Sequence, residues 1–527
     1  MIRRILTVLV AVAMCFSMFA GCGDEVTTSE ITGIYGKGEI TYPLQTNGEE
    51  LEFFAPIASG VAKLGMTVDE TEFRKELEKR TGVKVKYITP SSAQWDEQFN
   101  LLFSSNDLPD IIQGDWRNYA GGGADGVIDS GFITDLTPYL EDYAPNLWKR
   151  LHADEAAERS AKSPKGRYYS FYSFSHDVPC YGPYLRADWL KELNLEVPET
   201  LEEWETVLAA FRDKKGADAP LAFGWSKFYT MGVFETAFDT TSSIYVDDNG
   251  KIAFGPATSN WKDYMLKMKE WVDKGLLDKN VVTTENDALN AYLLTGETGA
   301  AIGWLASGIG AMMTAKPDDS FDLIGAPYPV INKGDTPSRY GGTKSPIGNT
   351  GLAIASTSDN KELAMRFLDY GYSDEGDLFY NYGIEGVSYE MVDGTPKYTD
   401  LILKNPDGLA ITDALNIYTH ATAGGPYLMH NETYLEQIVM PQQIACTEAW
   451  GTDDSHMIPG MTLTSEERTE YANIMTEIDT YVGEVTAGFI CGQKDISEVD
   501  AMPAKLKQMG LDRALEIQQA ALDRYNG

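Results

Sequence analysis

Residues 73–88 read FRKELEKRTGVKVKYI and contain one complete step from a helix to a strand. Phe73 and Leu77 fall on one face of a helix, because residues three or four apart are neighbours on a helical surface. Gly82 is typical of the residue that ends a helix. Apolar side chains then alternate at positions 83, 85 and 87, which predicts a strand. The stretch therefore favours an α/β fold.

The same alternation continues outward from this stretch. Trp95, Phe99 and Leu102 have helical spacing, and LPDII at 108–112 predicts a turn into another strand. Thr200 with Glu203, and Thr464 with Glu467, have the spacing of capping boxes at helix starts. The C-terminal third is predicted to be mostly helical. Short strands between amphipathic helices indicate an α/β sheet architecture.

Composition limits the functional classes. A chain of 527 residues exceeds one ordinary core, so two or more domains are expected. Its 79 acidic and 43 basic residues give a formal net charge of −36, which repels nucleic acid and anionic lipid headgroups. Nucleic acid is therefore excluded as an expected partner. Among the later cysteines, Cys180, Cys446 and Cys491 cannot all pair, and we expect small buried thiols with at most one bridge.

The N-terminus has the pattern of an export signal. Arg3 and Arg4 precede an apolar run at 5–20, which ends in FAGC at 19–22. This end resembles a bacterial lipobox, so residues 1–21 are predicted to be a lipoprotein signal peptide and Cys22 the lipidated first residue. An uncleaved membrane anchor is the alternative. Residues 22–50 are predicted to be a flexible tether because they are polar.

Several motifs appear in an order similar to the extracellular solute-binding protein family 1, over roughly residues 51–527. This family includes maltose-binding protein and the longer alginate- and lipoprotein-type oligosaccharide receptors. The motifs are LPDII at 108–112, GFITDLTP at 131–138, LRADWL at 185–190, VPETL at 197–201, GETGAAIGW at 296–304, YGIEG at 382–386 and LDRYN at 522–526. Each motif alone is weak, whereas seven in the same order are specific.

The resemblance implies a two-lobed, doubly wound α/β fold of the periplasmic-binding-protein type, with the ligand in an interlobe cleft. It places lobe 1 at 51–170 and 326–386, and lobe 2 at 171–325 and 387–527. The chain is expected to cross between lobes near 167–177, near 326–329 and after 386. It also implies a monomer, lipid-anchored at the extracellular face through Cys22, that delivers ligand to the permease of an ABC importer by closing its lobes.

Carbohydrate is the predicted ligand. A pyranose has an apolar face and a rim of hydroxyl groups, so its receptors combine aromatic rings with carboxylates and arginine. The chain has 10 Trp and 29 Tyr, and Trp304 matches the sugar-stacking Trp of the family by its neighbouring residues. The predicted ligand-binding residues are Trp304, Trp116, Trp225, Tyr229, Tyr119, Asp110, Asp115, Arg117, Tyr340 and Glu385.

Structural roles compete with some of these assignments. Five tryptophans lie on helical stripes and are predicted to be core residues: Trp95, Trp189, Trp204, Trp261 and Trp271. Trp116 and Trp225 can be core or cleft residues. Asp110 can cap a backbone turn, and Arg186 with Glu385 can form an ion pair.

Other functions have less support. Residues 212–220 are too short and too basic for a calcium loop, and Asp247–Gly250 predicts a hairpin turn, so we expect no metal and no cofactor. No nucleophile elbow, Walker loop or metal-spaced histidine pair occurs, so no catalytic residue is assigned. A peptide or amino-acid receptor is the alternative, and a secreted enzyme acting on glycosides is a weaker one.

Overall fold

The structure is a computed structural model that describes residues 31, 33–91, 93–105, 107–175, 178–225, 233–284, 286–316, 320–420 and 425–527. The predicted signal peptide, Cys22 and Tyr229 lie outside these residues. No described helix combines the length and the apolar character that crossing a bilayer requires.

The described strands are numbered in chain order. They are β1 (Glu50–Phe54), β2 (Lys84–Ile88), β3 (Ile111–Gly114), β4 (Phe171–Phe174), β5 (Tyr181–Arg186), β6 (Leu221–Ala222), β7 (Ile244–Val246), β8 (Ile252–Phe254), β9 (Ala300–Trp304), β10 (Leu323–Gly325), β11 (Thr343–Lys344), β12 (Ile347–Ile354), β13 (Tyr389–Val392), β14 (Thr395–Tyr398), β15 (Tyr427–Leu428) and β16 (Ile458–Pro459).

The described α-helices surround these strands. They are Ser59–Lys63, Glu72–Thr81, Trp95–Ser105, Gly123–Asp129, Leu140–Tyr143, Pro145–His152, Glu155–Ala161, Ala187–Leu193, Leu201–Lys215, Ser259–Asp273, Asn286–Thr295, Ala311–Ala315, Lys361–Asp369, Asp374–Tyr382, Asp400–Leu403, Ile411–Tyr418, Asn431–Glu436, Pro441–Ala449, Ser465–Ile490, Ile496–Gln508 and Leu511–Asn526. Shorter 3₁₀ turns and one π-helix, Leu305–Gly310, complete the helical set.

Two mixed sheets form the centres of two lobes. The first sheet has the order β15-β4-β12-β3-β1-β2, in which β1 is parallel to both β2 and β3. The second sheet has the order β10-β5-β9-β6, with β5 antiparallel to β9 and β10. Each sheet has its own large hydrophobic core. This is the predicted two-lobed α/β fold.

The second and third crossings of the chain between the lobes lie later in the sequence than predicted. The first crossing lies between the end of β4 at Phe174 and the start of β5 at Tyr181, so it overlaps only the end of the expected region, 167–177. The second core still contains Ala326 and Tyr328, and the first core contains residues up to Leu428. Residues 387–428 were therefore assigned to the wrong lobe, because strand β15 pairs with β4, 254 residues earlier, in a contact that no local pattern reveals.

Local sequence signals operate as expected. Thr71 accepts a hydrogen bond from Arg74 N at the start of helix Glu72–Thr81, and Gly82 ends it with a φ of 74°. Capping boxes start helices Leu201–Lys215 and Ser465–Ile490 at Thr200 and Thr464. The turn after β7 joins it to β8 as an antiparallel hairpin, as predicted.

Part of the predicted tether is bound to lobe 1. We call residues 33–44 the strap. The Glu362 carboxylate accepts hydrogen bonds from Ile34 N at 2.8 Å and from Tyr35 N. The fully buried Arg366 donates to Gly38 O at 2.7 Å and to Gly36 O at 2.5 Å. The polar sequence predicted disorder, but a charged pair one turn apart on helix Lys361–Asp369 satisfies the strap's backbone groups.

Candidate ligand-binding site

An open cavity lies beyond the carboxyl ends of β1 and β3. These strands run parallel, so the loops that follow them emerge at the same edge of the first sheet. The cavity has a volume of about 570 Å³. It is lined by Pro56, Trp95, Asp96, Phe99, Asn100, Gln113, Gly114, Asp115, Tyr119, Ala120 and Thr350. We call it the aromatic cavity.

Aromatic rings form one wall of this cavity. Trp95 stacks on Phe99 with ring centroids 5.6 Å apart and also contacts Phe54 at 5.1 Å. Trp95 and Tyr119 are both half-buried, so each ring is fixed on one side and open on the other. Burial raises the pKa of Tyr119, which keeps its hydroxyl protonated and able to donate a hydrogen bond. This wall can contact the apolar face of a ring-shaped ligand and its hydroxyl groups.

Asp115 provides a carboxylate at the mouth of the cavity. Its side chain is exposed and accepts hydrogen bonds from Asn118 N at 3.1 Å and Asn118 Nδ2 at 3.0 Å. These bonds fix its orientation, and a carboxylate has about four lone-pair sites, so it can accept further hydrogen bonds from hydroxyl groups. Asp115 and Tyr119 are the predicted site residues that the structure brings together here.

Trp304 is the last residue of β9, at the carboxyl end of a strand in the second sheet. Its side chain is 42% exposed, in a strand whose other residues are buried. The ring meets Tyr181 edge-on, with centroids 4.9 Å apart. The π-helix Leu305–Gly310 follows directly, and such helices are frequent at functional sites. A large exposed ring at this position meets the requirement for stacking on a ligand. Trp225, another predicted ligand-binding residue, is half-buried and packs against the core of the second lobe.

Trp116 occupies a different position from the predicted one. Its side chain is fully buried, and Nε1 donates to Gly351 O at 3.0 Å. Phe99, Phe103 and Tyr119 surround its ring. Trp116 therefore supports the aromatic wall from behind and offers no open face to a ligand.

Asp110 and Arg117 have structural contacts. Asp110 precedes β3 at its amino end, where it accepts hydrogen bonds from Glu52 N at 2.8 Å and from Ser358 Oγ. These contacts connect the start of β3 to β1 and to Ser358, so the role of Asp110 is structural, although not the capping of a local turn. Arg117 is 5% exposed and donates to Asn349 Oδ1 and to Ser160 O, both at 2.9 Å. Neither side chain faces the aromatic cavity.

Tyr340 and Glu385 also lie apart from this cavity. Tyr340 is buried and stacks on His456 at 4.4 Å, with its rings nearly parallel. Burial, together with the charge of Asp239, raises its pKa. Glu385 is exposed in the turn before the hairpin of β13 and β14. Arg186 pairs with Asp188 at 2.5 Å, so the suggested pair with Glu385 is wrong.

The sequence interpretation missed Trp95. Its helical spacing with Phe99 predicted a core residue, as it correctly did for Trp189, Trp204, Trp261 and Trp271. Helix Trp95–Ser105 has no fully buried residue, because it lies at the rim of the cavity. Neither the acidic first turn of this helix nor its long apolar stripe shows whether the helix lies at the rim of a cavity or inside a hydrophobic core.

Groups of three or more metal-ligating side chains are absent from the described part of the chain. Cys180, Cys446 and Cys491 are free thiols, so the optional bridge does not form in this structure.

Comparisons with known proteins agree with this geometry. Residues 67–377 match the family model described as bacterial extracellular solute-binding protein. The chain is 24% identical to lipoprotein LipO of Bacillus subtilis, over 95% of each chain. It is 25% identical to the fructooligosaccharide ABC transporter substrate-binding protein FusA of Streptococcus pneumoniae, over 97% of this chain and 96% of that protein.

A solved structure, that of the alginate-binding protein AlgQ2 without calcium ion, superposes with a TM-score of 0.72. It covers 90% of this chain and 97% of AlgQ2 at 24% identity, which shows a shared two-lobed fold. The family model spans more than half of the chain, and the sequence relatives cover nearly all of it. The chain therefore belongs to the bacterial extracellular solute-binding protein family.

Proposed function

We propose that the protein is an extracellular oligosaccharide receptor that delivers its ligand to an ABC importer. The exposed Trp304 is the observation that carries this proposal. The exposed indole face matches the C–H face of a pyranose, and the buried Tyr181 ring fixes its orientation. Trp304 ends a strand of the second sheet, and the aromatic cavity lies at the ends of two strands of the first.

The polar groups of the aromatic cavity support the same ligand class. Asp115, Gln113 and Asn100 line it with acceptors and amide groups. A hydroxyl-rich ligand can both donate to and accept from such groups. The named ligands of similar proteins, fructooligosaccharide for FusA and alginate for AlgQ2, are saccharides. Binding without turnover is supported by the family, whose model is described as a solute-binding protein.

The proposal includes a lipid anchor at Cys22, a monomeric state and a position at the extracellular face of the cell membrane. It is supported by the lipobox-like residues 19–22 and by the similarity to a lipoprotein over 95% of the chain. Mass spectrometry of membrane-extracted protein should find diacylglycerol on an N-terminal Cys22. Cys22→Ser protein should lack this lipid, and a native protein without diacylglycerol on Cys22 would contradict the anchor.

The ligand class is tested by calorimetry and thermal shift with matched panels. Neutral and acidic oligosaccharides of two to six units form one panel, and peptides of two to six residues form the other. A saccharide that binds should raise the melting temperature, because the stabilisation grows with the logarithm of its concentration relative to the dissociation constant. Chromatography of the same mixtures reports products. Peptide binding without saccharide binding, or saccharide turnover, would overturn the receptor assignment.

A further inference from the structure

A second chamber of about 250 Å³ lies on the other side of the loop that follows β3. Arg117 and Asn118 of this loop line it, whereas their neighbours Asp115 and Tyr119 line the aromatic cavity. The opposite wall comes from helix Ser465–Ile490, with Arg468 and Tyr471, and from Gln518 of the last helix. Two arginines from distant parts of the chain therefore line one partly open cavity.

Neither arginine has a carboxylate partner. Within the described residues, no Asp or Glu oxygen lies within 4.0 Å of the guanidinium group of Arg117 or Arg468. Two arginines of the adjoining last helix differ from them: Arg513 binds Glu470 at 2.8 Å and Arg524 binds Glu467 at 2.5 Å. In a chain with 79 acidic residues, two neighbouring arginines without an ion pair in the described structure are unexpected.

The unused donors are buried. Arg117 Nε and Arg468 Nε are both enclosed without an acceptor in the described structure. The terminal guanidinium nitrogens donate only to neutral acceptors. Those of Arg117 donate to Asn349 Oδ1 and Ser160 O. That of Arg468 donates to Arg117 O and Asn118 Oδ1. A buried charge without a counter-charge is unfavourable, and so is a buried donor without an acceptor.

The electrostatic environment of Arg468 is consistent with a buried guanidinium group that lacks an ion pair. Burial lowers its pKa most, the carboxylate of Asp115 and the phenol of Tyr471 oppose this shift, and the nearby charge of Arg117 adds to it. Arg468 also lies in the first turn of a 26-residue helix, where the backbone dipole adds positive potential. A negatively charged group in the chamber would relieve the repulsion and supply acceptors to both Nε donors.

We propose that the chamber between Arg117 and Arg468 is an oxyanion-binding subsite. It would bind a carboxylate or a group of similar charge and shape. The anion has two sources: the uronate carboxylate of an acidic oligosaccharide, which rests on the proposed function, or a free inorganic oxyanion. Asn349, Tyr471 and Gln518 supply neutral polar groups around it. Arg468 is the more accessible member of the pair and the better residue to vary.

Calorimetry of the full-length folded protein in chloride buffer tests the subsite. The probes are sodium sulfate, trigalacturonate and the neutral trisaccharide galactotriose. Arg468→Gln removes the charge and keeps an amide donor toward Asn118, and Arg468→Lys keeps the charge. Arg513→Gln is the matched control, because it removes one exposed, carboxylate-paired charge from the neighbouring helix. Thermal unfolding without any probe shows whether each variant is folded.

We expect at least tenfold weaker binding of an oxyanion probe by Arg468→Gln, partial retention by Arg468→Lys and no change in Arg513→Gln. If Arg468→Gln weakens the binding of trigalacturonate, the occupant is a saccharide carboxylate. If the variant weakens only the binding of sulfate, the occupant is a free anion. Failure of both probes to bind, or equal binding by Arg468→Gln, would overturn the subsite. Binding of galactotriose in that case would leave the proposed function intact.

Discussion

The indole of Trp304 meets the phenol ring of Tyr181 edge-on, with centroids 4.9 Å apart and ring planes at 60°. The two residues are direct partners across the antiparallel strands β9 and β5. Tyr181 is buried, so it fixes one edge of the indole while 42% of the Trp304 side chain remains exposed. This arrangement holds a flat surface in a defined orientation at little entropic cost on binding.

Replacing Trp304 with Ala should weaken binding of the cognate saccharide by about 2 kcal/mol, or roughly 30-fold, because aromatic anchors dominate binding energy. Trp304→Phe should lose less, since it keeps a smaller ring. Titration calorimetry gives both values. Ile331→Ala, at another exposed apolar site, serves as the control and should bind normally. Equal affinities for Trp304→Ala and this control would refute a contact between Trp304 and the ligand.

Trp116 should affect stability more than affinity. Its Nε1 donates to Gly351 O inside the first core, so Trp116→Phe leaves a buried acceptor without its partner. We expect a loss of about 1–3 kcal/mol in the free energy of unfolding. Urea denaturation measures it, and the affinity of the remaining folded protein should change less than in Trp304→Ala. Trp95 lies at the half-buried rim of the cavity, so Trp95→Phe should lower the ligand affinity more than the free energy of unfolding.

Glu235 makes stability depend on pH. It is 1% exposed, Oε2 has no partner in the described structure, and burial raises the pKa to about 8. The folded state therefore binds this proton more tightly than the unfolded state, whose pKa is near 4.5. Its contribution is most favourable below that lower value and is lost as the pH rises toward about 8.

The neutral variant Glu235→Gln removes this titration. The melting temperature of the variant minus that of the native protein should increase from pH 5 to pH 8 and then level off. The buried Asp369 also has a raised pKa, of about 6, but it is present in both proteins and cancels in the difference. A difference that is constant with pH would show that Glu235 keeps the same protonation state in the folded and unfolded chains.

The strap should detach when Arg366 is replaced. Arg366→Met leaves Gly36 O and Gly38 O without their charged donor, which we expect to lower the local stability by about 2–3 kcal/mol. Lys37 lies within the strap, so trypsin should cut after it faster in the variant, as read by mass spectrometry. Lys404→Met, at an exposed lysine paired with an exposed Asp400, provides the comparison. Unchanged cleavage after Lys37 in Arg366→Met would contradict the proposed role of this arginine.

Local patterns predicted the elements better than the site. The helix and strand at 72–88, both capping boxes and the β7–β8 hairpin depend on neighbouring residues, and each forms as expected. The exposure of a tryptophan depends on distant partners instead. Trp116 is covered by β12, 235 residues later in the chain. Trp304 was identified only because a run of adjacent residues resembles the family pattern.

The same distinction explains the errors in the lobe boundaries. Residues 387–428 contain no signal that directs them to the first sheet, and their placement follows from the pairing of β15 with β4. The strap is polar and was predicted to be free, because the groups that bind it, Glu362 and Arg366, are more than 300 residues away. The hydrogen bond from Arg468 to the backbone oxygen of Arg117 is equally non-local.

Because the strap is bound to lobe 1, the tether between the lipid of the proposed lipoprotein and its first lobe is shorter than the predicted residues 22–50. Only the eleven peptide units from Cys22 to Gly33 remain to span the distance from the bilayer, and at 3.6 Å each they reach roughly 40 Å. A globule held this closely samples a small volume above the membrane, which raises its effective concentration for a permease in the same patch. The helix that carries Glu362 and Arg366 would then set which side of the receptor is nearest the lipid.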